Sequence, residues 1–469
     1  MRNLCLHLIK YLSLASIIWV SSAFKATAQM VKGEICDSSL SKKAYIIYNP
    51  EKGGDQFDGV EDRLQIDDKG RFSYDARRLG DRTFCPAYLI LGDGSEWQFM
   101  LKPSSTLQVK VEKKKGDTEV TFSGKDAEAS NFMKHYGKLY DYQVFFPYEG
   151  EKRVLAGQDS IKVLEDGYQT LAKEVKKVKD VEMRSFLSQL NEGARINFLT
   201  RLIAKKDPRQ KDLLAQIDIN NWIGLYNYLP QCVVRASMDP KLDECFGKDM
   251  TDFGLAYMQV IKEKVTDPTV LHALLDDCGE CTLTYGKDIA DVDRFWKSYC
   301  EMAGGDSTLI KKYQDKVVAI KAIKKGKEAP DFTFSDRDGK SYHLKDFRGK
   351  VLYIDCWATW CGPCCKEIPF LEKRVEEYKD NDKVRFISIS MDSNKQAWMN
   401  KLDKDKPQWE QFIVSKEEHK ALSKAYGISG IPRFLVINAN GTIANGDAFR
   451  PSDEKFHEQL DEIMAHPIN

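Results

Sequence analysis

The sequence lacks an excess of charge of either sign. Its 71 lysines and arginines balance its 71 aspartates and glutamates, and no long basic or acidic tail is present. Proteins that bind nucleic acids or strongly acidic substrates usually carry a marked positive charge. The composition therefore gives no sign of a nucleic-acid partner, and we expect none.

Long apolar runs are also lacking after the first thirty residues, so no later segment is expected to span a bilayer. At the N-terminus, Arg2 and Lys10 precede the apolar run YLSLASIIWVSSAF, and small residues follow at Ala26 and Ala28. This arrangement predicts a secretory signal peptide over residues 1–28, with cleavage after Ala28. The alternative, a membrane anchor, needs about 18–20 apolar residues, which this run does not reach. We therefore expect an exported protein, located in the periplasm or cell envelope.

Histidines are few, and the seven present have no convincing spacing to cysteines or carboxylates. No metal or other cofactor is therefore expected. Cysteine is abundant by comparison: there are twelve, and eleven remain if Cys5 is removed with the signal peptide. In an oxidising compartment these can be structural disulfides or catalytic dithiols, and an odd number leaves at least one unpaired in a monomer.

The 469 residues are too many for one typical domain, and their patterns divide into three regions. Residues 29–125 alternate apolar and polar side chains in short runs between turns such as DDKG and GDG, which predicts an antiparallel β-sandwich. Residues 126–325 show helical spacing, for example at Leu187 and Leu190, and predict an all-α middle domain. The basic segment KAIKKGKEAP then links this region to residues 326–469.

Residues 326–469 alternate strands and helices. KVLYIDCW and VRFISISMD predict buried strands, and PRFLVIN with GTIANGDAF predicts a strand pair joined by a turn. Helices are predicted at GPCCKEIPFLEKRVEEY, KQAWMNKLDK, KEEHKALSKAYG and SDEKFHEQLDEIM. This order indicates an α/β layer with a central mixed sheet.

The segment IDCWATWCGPCCKEIP places Cys361 and Cys364 where a buried strand gives way to a helix. Unsatisfied N–H groups and the dipole at a helix N-terminus favour an anion, so we expect a lowered pKa for Cys361 and a thiolate nucleophile there. Cys364, one turn later, can close an intramolecular disulfide and release a bound partner. A structural disulfide or half of a zinc site is the alternative, but no second CxxC or histidine pair lies nearby in this region.

Two residues outside the dithiol are predicted to serve it. Asp355 lies on the entering strand, six residues before Cys361, where its carboxylate could take a proton from Cys364. Pro432 stands just before a later strand in the segment SGIPRF. A cis bond between Ile431 and Pro432 would set a backbone edge beside the dithiol for an incoming chain.

The segments DCWATWCGPCCKEIP and GISGIPRFLVIN resemble the active-site and cis-proline segments of the thioredoxin family. The longer segment from EAPDF to WCGPC is similar to the exported TlpA/ResA-like branch, which is related to the AhpC/TSA proteins. The resemblance covers residues 327–469 and implies a thioredoxin fold there. The β-rich and helical regions more weakly resemble segments of unknown function that precede such domains in exported bacterial proteins.

The resemblance also implies roles at matching positions. The implied site contains a nucleophile, a resolving cysteine, a buried acid, a cis-proline, the tryptophan before the dithiol and a second acidic residue: Cys361, Cys364, Asp355, Pro432, Trp360 and Glu367. Glu367 matches an acidic position that the branch often carries just after the dithiol. Cys356 and Cys365 depart from the family pattern. We interpret Cys356 as a small core residue, with a regulatory thiol as the alternative, and Cys365 as a bystander, with an off-pathway oxidation partner as the alternative.

A second CxxC, formed by Cys278 and Cys281, lies at the end of a helical segment without a preceding buried strand. A local structural disulfide is favoured in the exported setting. A second redox pair and a zinc site with Cys300 and His272 are the alternatives. Two further pairs could form, and their connectivity is open: Cys36 with Cys85, and Cys232 with Cys245.

These features predict an exported thiol–disulfide oxidoreductase. The Gly-Pro between the cysteines resembles reducing members of the family, which favours a reductant of protein disulfides. Its partners would be disulfide-containing client proteins and a membrane electron donor of the CcdA or DsbD type. The alternatives are a disulfide oxidase or isomerase, and an envelope binding protein in which the redox domain is auxiliary. The last is motivated by residues 29–325, which exceed what electron transfer requires; the oligomeric state is not indicated.

Overall fold

The computed structural model describes residues 30–52, 59–75, 79, 82–103, 105–149, 152–153, 159–203, 207–243, 249–286 and 289–466. The predicted signal peptide lies outside these residues, as does Cys245. The described residues form two compact units: one comprises those up to 237 together with 264–274, and the other comprises those in 238–263 and from 275 to 466.

Two four-stranded sheets in the first unit share one apolar core between their inner faces. Their strands are β1 (Met30–Ile35), β2 (Tyr45–Tyr48), β3 (Val60–Arg63), β4 (Arg71–Asp75), β5 (Cys85–Ile90), β6 (Glu96–Leu101), β7 (Thr106–Lys114) and β8 (Asp117–Gly124). The sheet orders are β4-β1-β7-β8 and β3-β2-β5-β6, with β1 parallel to β7 and the other neighbours antiparallel. Every second side chain of β7 is buried from Leu107 to Val111, which is the alternation that predicts a sandwich.

Helices complete the first unit. They are α1 (Ser38–Ser41), α2 (Ala127–Leu139), α3 (Tyr142–Phe145), α4 (Ser160–Val175), α5 (Val181–Leu202), α6 (Arg209–Ala215) and α7 (Leu229–Ser237), with a 3₁₀ helix at Trp222–Asn227. Leu187 and Leu190 of α5 are buried in a core shared with α2 and α4, as their spacing predicts. A two-stranded hairpin, β9 (Tyr148–Glu149) with β10 (Lys152–Arg153), interrupts the region that was predicted to be all helical.

The predicted middle domain is divided between the two units. The remaining helices are α8 (Pro240–Asp243), α9 (Thr251–Lys264), α10 (Pro268–Leu283), α11 (Val292–Ala303) and α12 (Ser307–Ala322). The first part of α10 belongs to the first unit, whereas its second part and α11 and α12 belong to the second. A physical reason is direct attachment of α12 to the α/β layer: Asp315 forms an ion pair with Lys424 at 3.0 Å, and a Cβ on Gly446 would lie 2.9 Å from Ile323.

The α/β layer of the second unit is built on a seven-stranded mixed sheet of order β12-β11-β15-β14-β13-β16-β17. Its strands are β11 (Thr333–Ser335), β12 (Ser341–His343), β13 (Val351–Trp357), β14 (Val384–Ser390), β15 (Glu410–Ile413), β16 (Arg433–Ile437) and β17 (Ile443–Asn445). Its helices are α13 (Gly362–Glu377), α14 (Lys395–Asp405), α15 (Lys416–Ala425) and α16 (Phe456–Ala465), with a 3₁₀ helix at Leu344–Phe347. The sequence predicts the long buried strands but misses β11, β12 and β15, which have three or four residues and too little pattern to recognise.

Strand β13 lies at the centre of this layer. All seven of its side chains are buried, and it pairs in parallel with β14 and antiparallel with β16. Both faces of the sheet are covered, because Tyr353 packs in a core with Leu371 of α13, whereas Ile354 packs in a different core with Leu422 of α15. The buried central strand therefore delivers its C-terminal end to a fixed place beneath α13. No helix in the part of the chain described above is both long and apolar enough to cross a membrane.

Candidate active site

The turn between β13 and α13 carries the dithiol. The chain leaves β13 at Trp357 and begins α13 at Gly362. Cys361 is the N-cap residue of the helix, and its Sγ accepts a hydrogen bond from the backbone N–H of Cys364 at 3.2 Å. Pro363 suits the first turn because its missing N–H would have no helical partner. The sulfur of Cys361 thus lies at the positive end of the helix, where a thiolate is stabilised.

Cys361 and Cys364 are joined by a disulfide bond. Both are nearly buried, with 5% and 2% of their surface exposed, whereas Trp360 is 69% exposed. An exposed indole beside a nearly buried disulfide gives an incoming protein chain an apolar contact next to the reactive sulfur.

The loop before β16 lies against the dithiol. The peptide bond between Ile431 and Pro432 is cis, as the sequence predicts, and the carbonyl oxygen of Ile431 lies 3.7 Å from Sγ of Cys361. Ser429 and Gly430, just before this bond, are exposed. Backbone groups of the loop are therefore accessible to a chain that approaches Cys361.

Asp355 is buried on the face of β13 that α13 covers. Alternate strand residues share a face, so Asp355 lies between Tyr353 and Trp357, and the side chain of Trp357 packs in the same cluster as the disulfide. Its Oδ2 accepts a hydrogen bond from the hydroxyl of Ser388 at 2.9 Å. Burial raises the pKa of Asp355 from 3.8 to about 7; the Ser388 hydrogen bond opposes this rise and the charge of Glu367 adds to it. Asp355 can therefore exchange a proton near neutral pH.

Glu367 is buried on the same side of α13 as Cys364, one turn further along. Its carboxylate accepts hydrogen bonds from the backbone N–H of Ser452 at 3.1 Å and from the Ser452 hydroxyl at 2.9 Å. The guanidinium of Arg450 lies 3.7 Å from Oε1. Glu367 thus ties α13 to the loop before α16, and its charge acts on Asp355.

Asp392 is a residue at this site that the sequence analysis missed. It is buried just after β14, and its carboxylate accepts hydrogen bonds from the Thr359 N–H at 2.9 Å, the Thr359 hydroxyl at 2.7 Å and the Ser390 hydroxyl at 2.8 Å. These bonds fix the turn two residues before Cys361. The Ser-Met-Asp at the strand end gives only a weak signal, since a carboxylate after a strand is common in solvent-exposed loops.

The two additional cysteines of the motif lie in different surroundings. Cys356 is fully buried on the face of β13 opposite Asp355, within an apolar core, and burial raises the pKa of its thiol well above the usual range. This placement agrees with its interpretation as a core residue. Cys365 is half-buried and its thiol donates to the carbonyl oxygen of Thr359 at 3.8 Å. Neither forms a disulfide.

The second CxxC does not form the disulfide that the sequence favours. Cys278 and Cys281 are both buried within α10, and no disulfide joins them. Their positions within one helix explain why no disulfide forms. Helix residues three apart have Cβ atoms about 5–6 Å apart, whereas the Cβ atoms of a disulfide are about 3.5–4.5 Å apart. The Cys278 thiol instead donates to the carbonyl oxygen of Gly254 at 3.6 Å, and burial raises its pKa. Nowhere in the described ranges do three His, Cys, Asp or Glu side chains gather to hold a metal, so the zinc alternative with Cys300 and His272 is not realised.

The suggested pair of Cys36 and Cys85 is also not joined. Cys36 follows β1 and is exposed, whereas Cys85 is buried in β5 of the other sheet, where its thiol donates to the carbonyl oxygen of Asn49 at 3.0 Å. Cys245, the suggested partner of Cys232, lies outside the described residues.

Comparison with known proteins places the similarity in the α/β layer. The model of the Redoxin family matches residues 324–457. The thiol-disulfide oxidoreductase ResA of Bacillus thuringiensis subsp. konkukian is 30% identical over 152 residues, which are 32% of this chain and 85% of the relative. ResA of Bacillus subtilis is 27% identical over 142 residues, 30% of this chain and 77% of that protein.

Solved structures give similar coverage. The thioredoxin domain of a thiol-disulfide oxidoreductase from Bacteroides vulgatus is 28% identical and matches 30% of this chain and 97% of its own, with a TM-score of 0.28. A thiol-disulfide oxidoreductase from Bacteroides fragilis is 26% identical and matches 29% of this chain and 99% of its own, with a TM-score of 0.26. The Redoxin match begins at residue 324, so the preceding residues lie outside it.

Proposed function

Because the chain belongs to the family of ResA-like thiol-disulfide oxidoreductases, we propose that it reduces protein disulfides outside the cytoplasm by cycling Cys361 and Cys364 between dithiol and disulfide. The observation that carries this proposal is the position of Cys361. Its sulfur caps α13, accepts the Cys364 N–H and lies beside the carbonyl of Ile431. A thiolate at this place is stabilised, and it lies beside the loop that contains Pro432, whose exposed residues Ser429 and Gly430 can receive a client chain.

In the proposed cycle, the Cys361 thiolate attacks one sulfur of a client disulfide and displaces the other as a client thiolate. The resulting mixed disulfide is then attacked by the Cys364 thiolate, which releases the second client sulfur. The client gains two electrons and two protons, and the enzyme is left with the Cys361–Cys364 disulfide. That disulfide is the state present in the structure.

Asp355 is proposed to accept the proton of Cys364 during the second step. Its location under α13 and its pKa of about 7 support this role, because the group can be either protonated or charged at neutral pH. Glu367 is proposed to assist by raising the pKa of Asp355 through its charge and by holding the loop at Ser452. Trp360 and Pro432 are proposed to contact the client chain, since the former is exposed and the latter follows the carbonyl beside Cys361.

Location and electron supply complete the proposal. The first 28 residues have the pattern of a signal peptide, which supports export. A reductant outside the cytoplasm must be recharged, so we propose a membrane electron donor of the CcdA or DsbD type that reduces the Cys361–Cys364 disulfide.

The test is the equilibrium reduction potential of Cys361–Cys364 in the full chain, measured in defined thiol buffers. The Cys361→Ser variant serves as the blank for the other cysteines. A potential near that of thioredoxin, about −270 mV, agrees with a reductant. A potential of about −120 to −180 mV would contradict the direction proposed and support the alternative, a disulfide oxidase or isomerase.

A further inference from the structure

A groove of about 1050 Å³ lies within the second unit, between the ends of α10 and α12 and the sheet edge at β16 and β17. Its helical wall includes Ile320 and Ile323, and Ile463 of α16 contributes from the other side. All three are half-buried, so each still presents apolar surface to the groove. The volume lies just above the range of about 300–1,000 Å³ for small-molecule pockets, which suits a longer ligand such as an extended peptide.

One end of the groove reaches the active site. Ser429, Gly430 and Pro432 line it, and the carbonyl next to Pro432 lies 3.7 Å from the sulfur of Cys361. A protein chain whose cysteine is attacked by Cys361 would therefore pass Pro432 and continue into the groove.

The charges that line the groove are predominantly positive. Five basic residues face three acidic ones: Lys316, Lys324, Lys325, Arg433 and Arg450 against Asp447, Asp453 and Glu462. Both arginines already have acidic partners, because Arg433 forms an ion pair with Asp447 and Arg450 lies 3.7 Å from Oε1 of Glu367. The positive excess therefore rests on the three lysines, which face Asp453 and Glu462. Lys324 and Lys325 are exposed just after α12. The Lys324 ammonium donates to the carbonyl oxygen of Ala290 at 3.2 Å, which leaves its charge and two further N–H groups for a ligand.

We propose that this groove binds an extended, acidic segment of a disulfide-containing client while Cys361 attacks the client's disulfide. The proposal rests on the function proposed above and adds a specificity to it. The helices α10 and α12 supply one wall, so residues that precede the redox layer help to select its substrate. Acidic side chains would meet the lysines at the end of α12, and apolar side chains would cover Ile320 and Ile323.

The experiment uses the full chain after reduction of its disulfide. The probes are short peptides with one cysteine, activated as the mixed disulfide with 2-thiopyridone, and attack at the peptide sulfur releases 2-thiopyridone. One set carries several glutamates on one side of the cysteine, and a matched set carries lysines there; each is also made with the charges on the other side. The rate of reduction of neutral 2,2′-dithiodipyridine measures the thiol–disulfide exchange on a substrate too small to occupy the groove.

We expect kcat/KM to be about tenfold higher for the glutamate peptides than for the lysine peptides. This difference should appear only when the charges lie on the side of the cysteine that enters the groove. Lys324→Glu/Lys325→Glu is expected to reverse this order. The control variant Lys311→Glu/Lys420→Glu makes the same change in net charge at exposed positions outside the groove. It is expected to keep the wild-type order, in which the glutamate peptides react faster. All variants should reduce 2,2′-dithiodipyridine at the wild-type rate.

Equal rates for both peptides in the wild type would overturn the groove proposal, as would an unchanged order in Lys324→Glu/Lys325→Glu. Failure of the wild type to reduce 2,2′-dithiodipyridine would instead contradict the proposed function. If the groove receives a second copy of this chain, the groove variant would abolish a concentration-dependent dimer and leave peptide selection unchanged, which also contradicts the proposal.

Discussion

Burial determines the charge of Asp355, and the consequence is a dependence of stability on pH. The pKa of this carboxyl is about 7 in the folded oxidised chain against an ordinary value of 3.8, because burial disfavours the charged form. At a pH between these two pKa values, Asp355 is protonated in the folded state and deprotonated in the unfolded state. Asp355 therefore makes the protein less stable as pH rises from about 4 to about 7, and the cost is constant above that.

The change Asp355→Asn is expected to stabilise the oxidised protein at pH 8 by up to about 4 kcal/mol, because a neutral amide buries no charge. Below pH 4 no stabilisation is expected, because Asp355 is then protonated in both the folded and the unfolded state. The same change should slow the closing of the Cys361–Cys364 disulfide. Denaturant unfolding of the second unit across this pH range, together with single-turnover kinetics, measures both effects. Asp382→Asn, at an exposed position, is the control. An identical pH profile for wild type and Asp355→Asn would contradict the account.

At the scale of elements, context decides what a CxxC pair can do. Cys361 is an N-cap residue with extended backbone angles, φ −84° and ψ 99°, so its side chain can turn back to Cys364 at the start of α13. Cys278 and Cys281 have the same spacing, but both lie inside α10, where helical geometry holds their Cβ atoms too far apart. The two pairs have the same spacing, and only their positions relative to the helix end determine which pair can form a disulfide.

The turns that follow β13 and β14 are joined through Asp392. The change Asp392→Ala would leave the Thr359 N–H and the Thr359 and Ser390 hydroxyls without this acceptor. We expect a loss of about 2–4 kcal/mol in the free energy of unfolding, because several hydrogen bonds to a buried carboxylate disappear. The rate of 2,2′-dithiodipyridine reduction should fall severalfold under native conditions, because the turn that carries Cys361 is no longer fixed.

Asp392→Asn keeps part of the acceptor and should restore part of that rate. The control is Asp403→Ala, because Asp403 pairs with Arg337 at the surface, where an ion pair contributes about 0–1 kcal/mol. A wild-type rate in a folded Asp392→Ala variant would show that Asp392 supports the fold and does not position the dithiol.

At the scale of the whole molecule, the redox layer does not stand apart from the helices before it. Ile323, just after α12, packs closely against Gly446, which follows β17, and Asp315 of α12 forms an ion pair with Lys424 of α15 at 3.0 Å. A cut at residue 325 therefore removes apolar cover from the sheet edge. The hypothesis of a separate binding protein over residues 29–325 stays a prediction, but its test should take account of this attachment.

The fragment 326–469 is expected to reduce 2,2′-dithiodipyridine within about twofold of the full-chain rate, because the groups proposed for the chemistry lie within it. Its free energy of unfolding should be lower by at least about 2 kcal/mol than that of the second unit in the full chain, because the contact with Ile323 and α12 is lost. Calorimetry of both proteins measures the difference, and Ile323→Ala in the full chain should reproduce part of it. Equal stability of fragment and full-chain unit would contradict the attachment.

The sequence alone was sufficient where the determinants are local. The apolar run of β13, the N-cap and proline at the start of α13 and the segment before β16 each depend on neighbouring residues, so Cys361, Cys364 and the cis bond at Pro432 could be predicted. The alternating runs of the N-terminal sheets and the helical spacing of α5 could be predicted for the same reason.

Only the tertiary structure could decide the features that depend on distant residues. The pKa of Asp355 follows from burial under α13, the role of Asp392 from the meeting of two turns, and the groove from the packing of α12 against β17. The division of the helical region between two units also depends on contacts between residues that are distant in sequence. Burial and contact across the chain set these properties, and a pattern within a short window of sequence contains neither.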